Sequence, residues 1–164
     1  MGDAAACEKA FTAAAHRVRL PLVNNRVTAG SMEPRGAIGQ YNPADGSFVL
    51  YTSTQNPHRV RETLAQSVLR IPESRLRVIG SDVGGGFGMK GDTYPEEGLV
   101  LLASQLVERP VKWNPSRSDA FISDNAGRDQ LVDAEMALDS EGRILAVRVK
   151  ALHNLGAYML VRRR

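Results

Sequence analysis

The chain has 164 residues, 43% hydrophobic and 24% charged, which suffices for one buried core, so residues 1–164 are expected to form a single domain. Arg162, Arg163 and Arg164 supply the whole excess of positive charge, leaving 18 basic against 18 acidic side chains over residues 1–161, and aromatics are only 5%. That balance excludes a basic or base-stacking nucleic-acid face, while the lone Cys7 and the lack of any membrane-length apolar run exclude a disulfide framework, a CxxC metal site and a transmembrane span.

The opening residues lack the charged and apolar regions of a signal peptide, and a cytoplasmic setting is expected. Asp3–Ala15 predicts a helix. His16–Asn25 predicts a strand with Val18, Leu20 and Leu22 on one parity and Arg17, Arg19 and Pro21 on the other, and Pro21 places it at a sheet edge. A β-hairpin follows, turning at Asn42-Pro43-Ala44-Asp45-Gly46. Asn56 caps a helix that has Pro57 at its first position and Val60, Leu64 and Val68 on one face.

Arg75–Val83 predicts the next strand. After a glycine-rich loop, Thr93 and Glu96 suggest a capping box, with Leu99, Leu102, Ala103 and Leu106 as the buried stripe of a helix that Arg109-Pro110 ends. Val111–Trp113 is a short strand, Asn114–Asp129 a polar stretch, and Gln130–Leu152 a hairpin turning at Ser140-Glu141-Gly142. The order predicts an α+β fold, a mixed β-sheet with hairpins and two or three packed helices.

The loop "SDVGGGFGMKGD", Ser81–Asp92, places Gly84, Gly85, Gly86, Gly88 and Gly91 around Phe87. Gly86 to Gly91 satisfies GxGxxG, a dinucleotide-binding pattern, although the helix starts only at Thr93 and the acidic residue expected about twenty positions on is Glu108, at a helix end. Lys90 is followed by Gly91, which excludes a P-loop. A plain strand-to-helix turn with no ligand is the other reading, in which Phe87 would be an awkward exposed tip, and Phe87 as a core ring competes with any ligand-facing role for it. A third is a row of bare N–H groups lying against a planar or oxygen-rich ligand.

Five segments in order, "TSTQNPH", "VGGGFGMK", "RPVKW", "GRDQ" and "NLGAY", with "VNNRV" and "MEPRG" before them, resemble the molybdopterin-binding large subunits of the molybdenum hydroxylases. That superfamily comprises xanthine dehydrogenase, aldehyde oxidase and carbon monoxide dehydrogenase. The similarity runs from about Gly2 to Met159 and is nearest in flavour to the bacterial carbon monoxide or aldehyde type. It implies that this fold is part of a larger molybdopterin-binding domain.

The resemblance implies a molybdenum held by a pyranopterin dithiolene, in a bacterial member as the cytosine dinucleotide, with no protein metal-ligand cluster. The glutamine of the STQ motif, here Gln55, would donate to the apical oxo ligand. Gly85 and Gly86 would bring backbone close to the cofactor, and Phe87 and Gly88 would sit beside the metal's ligands, Phe87 as an apolar wall. Arg128 receives no role, because Ala126 stands where relatives often place His. Gly91 replaces the carboxylate that xanthine-type members carry after the loop.

Iron-sulfur and FAD groups would reside on partner subunits. The general-base glutamate and the second active-site loop, which carries a copper-binding Cys in the carbon monoxide type, belong to other parts of the large subunit. The expectation is therefore a fragment of a molybdenum-dependent oxidoreductase, inactive alone, supplying part of the cofactor pocket. Its partners would be the remaining large subunit, the iron-sulfur and flavin subunits and, through exposed fragment surfaces, a second copy. The alternatives are a structural remnant without catalysis and a nucleotide-binding βαβ module.

Overall fold

A computed structural model describes residues 2–156. In chain order the elements are α1 (Ala4–Ala13), β1 (His16–Asn24), β2 (Ala37–Asn42), β3 (Ser47–Thr52), α2 (Pro57–Thr63), β4 (Leu76–Ile79), α3 (Pro95–Val107), β5 (Val111–Trp113), α4 (Arg117–Ser123), β6 (Gln130–Leu138) and β7 (Ile144–His153). The α+β expectation holds. The residues fall into two compact units, one built from the two ends of the chain and the other from Thr28–Ala126.

In the unit of the chain ends, β1, β6 and β7 form an antiparallel sheet in that order, so β1 is the edge strand that Pro21 requires. Asp3 caps α1 by accepting the Ala6 N–H at 3.0 Å. The Arg148 guanidinium stacks 4.4 Å from the Phe11 ring centre and bonds Glu135 and Glu8. Pairing puts Val18 opposite Met136 and Val147, and Leu20 opposite Ala134 and Val149, on one face. That face is apolar and open, with Val18, Leu20, Val147 and Val149 all exposed.

The other unit carries a four-stranded sheet in the order β4-β3-β2-β5, in which only β3 and β4 run parallel as a hydrogen-bonded pair. Phe48 and Leu50 of β3 and Ala37 of β2 pack with Val60 and Leu64 after the turn into α2, and with Val100 and Leu101 of α3. Gly39 is required on β2: a Cβ there would lie 2.5 Å from the Val100 carbonyl carbon, so α3 sits directly on the strand. The β2–β3 turn closes as the Asn-Pro-Ala-Asp-Gly composition predicts, with Gly46 at φ +69° and its N–H bonded to the Asn42 carbonyl at 2.9 Å.

Three expectations need correction. The buried side of α3 is Glu97, Gly98, Val100, Leu101 and Ser104, whereas Leu99, Leu102 and Leu106 are exposed. Apolar side chains surround this helix, so periodicity alone could not select the packed face. The cap lies one residue further on, at Tyr94, whose N–H donates to Glu97 at 3.0 Å, because Pro95 occupies the first helical position. Val68 is exposed because α2 passes into a π-helical turn at Leu64–Leu69, which breaks the four-residue spacing.

The polar stretch contains α4, whose start is set by Ser116 and Asp119: the Ser116 hydroxyl accepts the Asp119 N–H and the Asp119 carboxylate accepts the Ser116 N–H. The end of the NLGAY segment, Ala157 and Tyr158, lies outside the described residues.

Candidate functional site at the ends of β3 and β4

The parallel pairing of Tyr51 with Ile79 brings the chain leaving β3 beside the chain leaving β4. Gln55 lies on the first and the glycine loop on the second, so the two segments with the sharpest sequence signatures meet at the carboxyl ends of neighbouring parallel strands. Such crevices are where open sheets bind ligands. The βαβ unit here is β3-α2-β4, not β4-α3-β5, since β5 pairs only with β2. The strands flanking the GxGxxG segment are therefore not neighbours.

Gln55 is held by both backbone and side chain. Its N–H donates to the Lys90 carbonyl at 2.9 Å, and its Oε1 accepts the Gly88 N–H at 3.0 Å. A backbone N–H can only donate, so the amide oxygen must face Gly88 and the NH2 group must face away from it. Among the described residues nothing accepts from that NH2 group. The preceding Thr54 is buried, donating its hydroxyl to the Lys90 carbonyl and accepting the Asn56 N–H.

The glycines answer to their neighbours. Gly86 is buried, and a Cβ there would lie 2.4 Å from the Gln55 amide carbon; a Cβ at Gly84 would lie 2.6 Å from Glu33 Cβ. Gly85 and Gly88 have φ of +95° and +85°, in the left-handed range that glycine adopts freely. Phe87 follows the same turn at φ +49°, and 79% of it is exposed, so it is not a core ring.

Two residues with no role assigned from the sequence fasten the other side of the loop. The Lys90 side chain is fully buried, and its ammonium lies 2.7 Å from Glu33 Oε2, which also accepts the Gly84 N–H at 2.8 Å. Burial raises the Glu33 carboxyl, but the Lys90 bond, the Gly84 bond and the Lys90 charge outweigh it and leave the group below its ordinary value. Both residues stand in motifs, MEPRG and VGGGFGMK, but nothing in either spacing marks a lysine inside the fold. The Ser31 hydroxyl, beside Gly85, is buried without a hydrogen-bond partner.

Below the loop, Arg35 is 5% exposed and bonds Asp124 at 2.7 Å, Glu96 at 3.0 Å and the Ser123 hydroxyl at 2.9 Å, with its guanidinium 3.7 Å from the Tyr94 ring centre. Burial pushes the Glu97 carboxyl up, against bonds from the Thr52 hydroxyl and the Tyr94 N–H. An open cleft of about 190 Å³ runs from Glu33 and Ser81 past Ile79 to Lys112 and Asn114. Among the described residues no three His, Cys, Asp or Glu side chains converge as a metal set, and no helix is long and apolar enough to cross a membrane. Beside the loop stand three donors, the Gln55 NH2 group and, with no acceptor among the described residues, the Gly86 and Phe87 N–H groups, while the cleft itself is also lined by the Glu33 and Asp82 carboxylates.

The chain is 40% identical over 151 residues to the nicotine 6-hydroxylase large subunit of Paenarthrobacter nicotinovorans, covering 92% of this chain and 18% of that relative. It is 34% identical over 157 residues to the carbon monoxide dehydrogenase large chain of Hydrogenophaga pseudoflava, covering 96% and 19%. The fold matches quinoline 2-oxidoreductase from Pseudomonas putida 86 with a TM-score of 0.84 at 37% identity, over 89% of this chain and 18% of that one. CO dehydrogenase from Oligotropha carboxidovorans matches with a TM-score of 0.88 at 28% identity, over 93% and 19%.

The chain thus spans about one fifth of the length of these relatives. The sequence pattern of the molybdopterin cofactor-binding domain covers residues 1–163. With the same fold, the ordered motifs and nearly the whole length matched, this chain belongs to the molybdopterin cofactor-binding domain family.

Proposed function

We propose that residues 1–164 form part of one molybdopterin-binding domain and supply part of the cofactor pocket of a molybdenum hydroxylase, with Gln55, Gly85, Gly86, Phe87 and Gly88 facing the cofactor. The observation that carries this reading is the Gln55–Gly88 bond, which engages the amide oxygen with the loop and turns the NH2 group away from it. An oxo-metal centre or a pyrophosphate presents oxygens, which the Gln55 NH2 group and the Gly86 and Phe87 N–H groups fit as donors. The unpartnered Ser31 hydroxyl under Gly85 is a further polar group in the same place.

When bound, the molybdenum–pyranopterin group supplies a two-electron oxidation with water as the oxygen source. This chain's part is to orient that group through Gln55 and to wall one side with Phe87. Relatives named for nicotine and quinoline, at 40% and 37% identity, favour an N-heterocycle as substrate over a small carbonyl or carbon monoxide. Electrons would leave through iron-sulfur and FAD subunits, the cofactor would be the cytosine dinucleotide form, and the setting cytoplasmic. The open apolar face of the β1-β6-β7 sheet would be covered by the rest of the large subunit or, in isolation, by a second copy.

The test is a size-resolved molybdenum profile of the native source, with peptides of this chain followed by mass spectrometry. Co-elution with molybdenum in a large complex is expected. Peptides running near 17.8 kDa without the metal would replace the reading with a structural remnant.

A further inference from the structure

The glycine loop beside Gln55 is fastened at two places, and one buried residue joins them. At one end Glu33 takes the Gly84 N–H through its carboxylate at 2.8 Å and donates its own N–H to the Gly84 carbonyl at 3.1 Å. At the other end Gln55 takes the Gly88 N–H. Lys90 reaches both: its ammonium pairs with Glu33 at 2.7 Å, while its carbonyl accepts the Gln55 N–H and the Thr54 hydroxyl.

A lysine side chain with no exposed surface carries a charge that must be compensated, and Glu33 is the carboxylate paired with it. The Glu33 side chain is 40% exposed, so without Lys90 it is free to turn to water and release Gly84. The turn Met89–Gly91, closed by the Met89 N–H on the Gly86 carbonyl at 2.9 Å, transmits the anchor to Gly86 and Gly88.

We infer that Glu33 and Lys90 are positioning residues, an ionic latch that holds the glycine loop in the shape that turns the Gln55 NH2 group away from Gly88. The functional value of the latch rests on the cofactor reading above, but the latch itself is a property of the chain without cofactor.

Residue-resolved amide hydrogen exchange on the 164-residue chain tests it, using Lys90→Met, Glu33→Met, which removes the acceptor of the Gly84 N–H, and the double variant. In Lys90→Met the Gly84 and Gly88 amides should exchange about ten-fold to a hundred-fold faster, the loss expected of a charge-assisted bond, while Leu50 and Leu101 keep their protection relative to global unfolding. The double variant removes both charges and should regain the thermal midpoint lost in either single variant, with its loop still exchanging fast. A purely structural pair would restore both together.

Gly84 and Gly88 protection within about two-fold of the parent in Lys90→Met, or in the double variant should the single one not fold, overturns the latch. Because no cofactor enters this measurement, its outcome is independent of the molybdenum profile, and either result can fail alone.

Discussion

Gly39 and Val100 meet backbone to backbone: a Cβ at Gly39 would lie 2.5 Å from both the carbonyl carbon and the oxygen of Val100. Neither partner has a flexible end that could yield. Gly39→Ala must push α3 off β2 and is expected to cost about 3 kcal/mol or more, read as a fall in the urea midpoint. An unchanged midpoint would mean that α3 does not rest on β2 as described.

Gly86→Ala should behave differently, since the Cβ meets the Gln55 side chain and not backbone. The side chain can swing away at the cost of the Gly88 bond, about 1 kcal/mol of stability. The Gln55 NH2 resonances should move and the Gly88 amide should lose protection, while the core amides remain as they were. Unmoved Gln55 resonances would show that its amide is not seated against Gly86.

Arg35 compensates two carboxylates, with Asp124 5% exposed and Glu96 19% exposed at their side chains. Arg35→Met leaves that charge without a cation and is expected to destabilise by about 3–5 kcal/mol in chemical unfolding. Arg35→Lys should recover only part of this, because an ammonium cannot also span Ser123 and lie flat on Tyr94. Full recovery by lysine would reduce the site to a point charge.

Glu97 gives the fold a pH dependence of known sign. Burial holds its folded-state carboxyl above the ordinary 4.5, so its contribution is full below that value and is lost as pH rises through the raised one. Glu97→Gln keeps an oxygen for the Tyr94 N–H and can donate to the Thr52 hydroxyl. The variant should therefore gain on the parent as pH climbs from 4 to 7 in parallel thermal melts. Glu33, held below its ordinary value, works in the opposite direction, with stability present above 4.5 and lost as pH falls through the lowered value. A gap between Glu97→Gln and parent that does not widen with pH would contradict the burial argument.

Much of this could be read in advance where chemistry is local. Asn56 and Pro57 mark the start of α2, Pro21 marks an edge strand, and Asn42 to Gly46 mark a tight turn, because each acts on its own backbone. The capping pair Ser116 and Asp119 was equally legible as a start signal for α4, but the polarity of the surrounding stretch masked it. Leu99 and Leu106 misled because hydrophobicity says that a residue can be buried, while the sheet decides which side of the helix it covers. The Glu33–Lys90 pair was out of reach, since its members stand 57 positions apart and only the fold brings them together.

The same separation in sequence has a consequence for how the chain is made. Strand β1 pairs with β6 from His16–Leu138 to Asn24–Gln130, and Val27 bridges Gly127, so the whole of Thr28–Ala126 is synthesised between two partners that need each other. At roughly 5–20 residues per second, β1 waits several seconds on the ribosome with Val18, Leu20 and Leu22 unpaired. During that interval Thr28–Ala126, a compact unit with its own sheet and core, can already close. Until β6 is made, nascent β1 therefore holds its apolar residues open to chaperones and to misassociation.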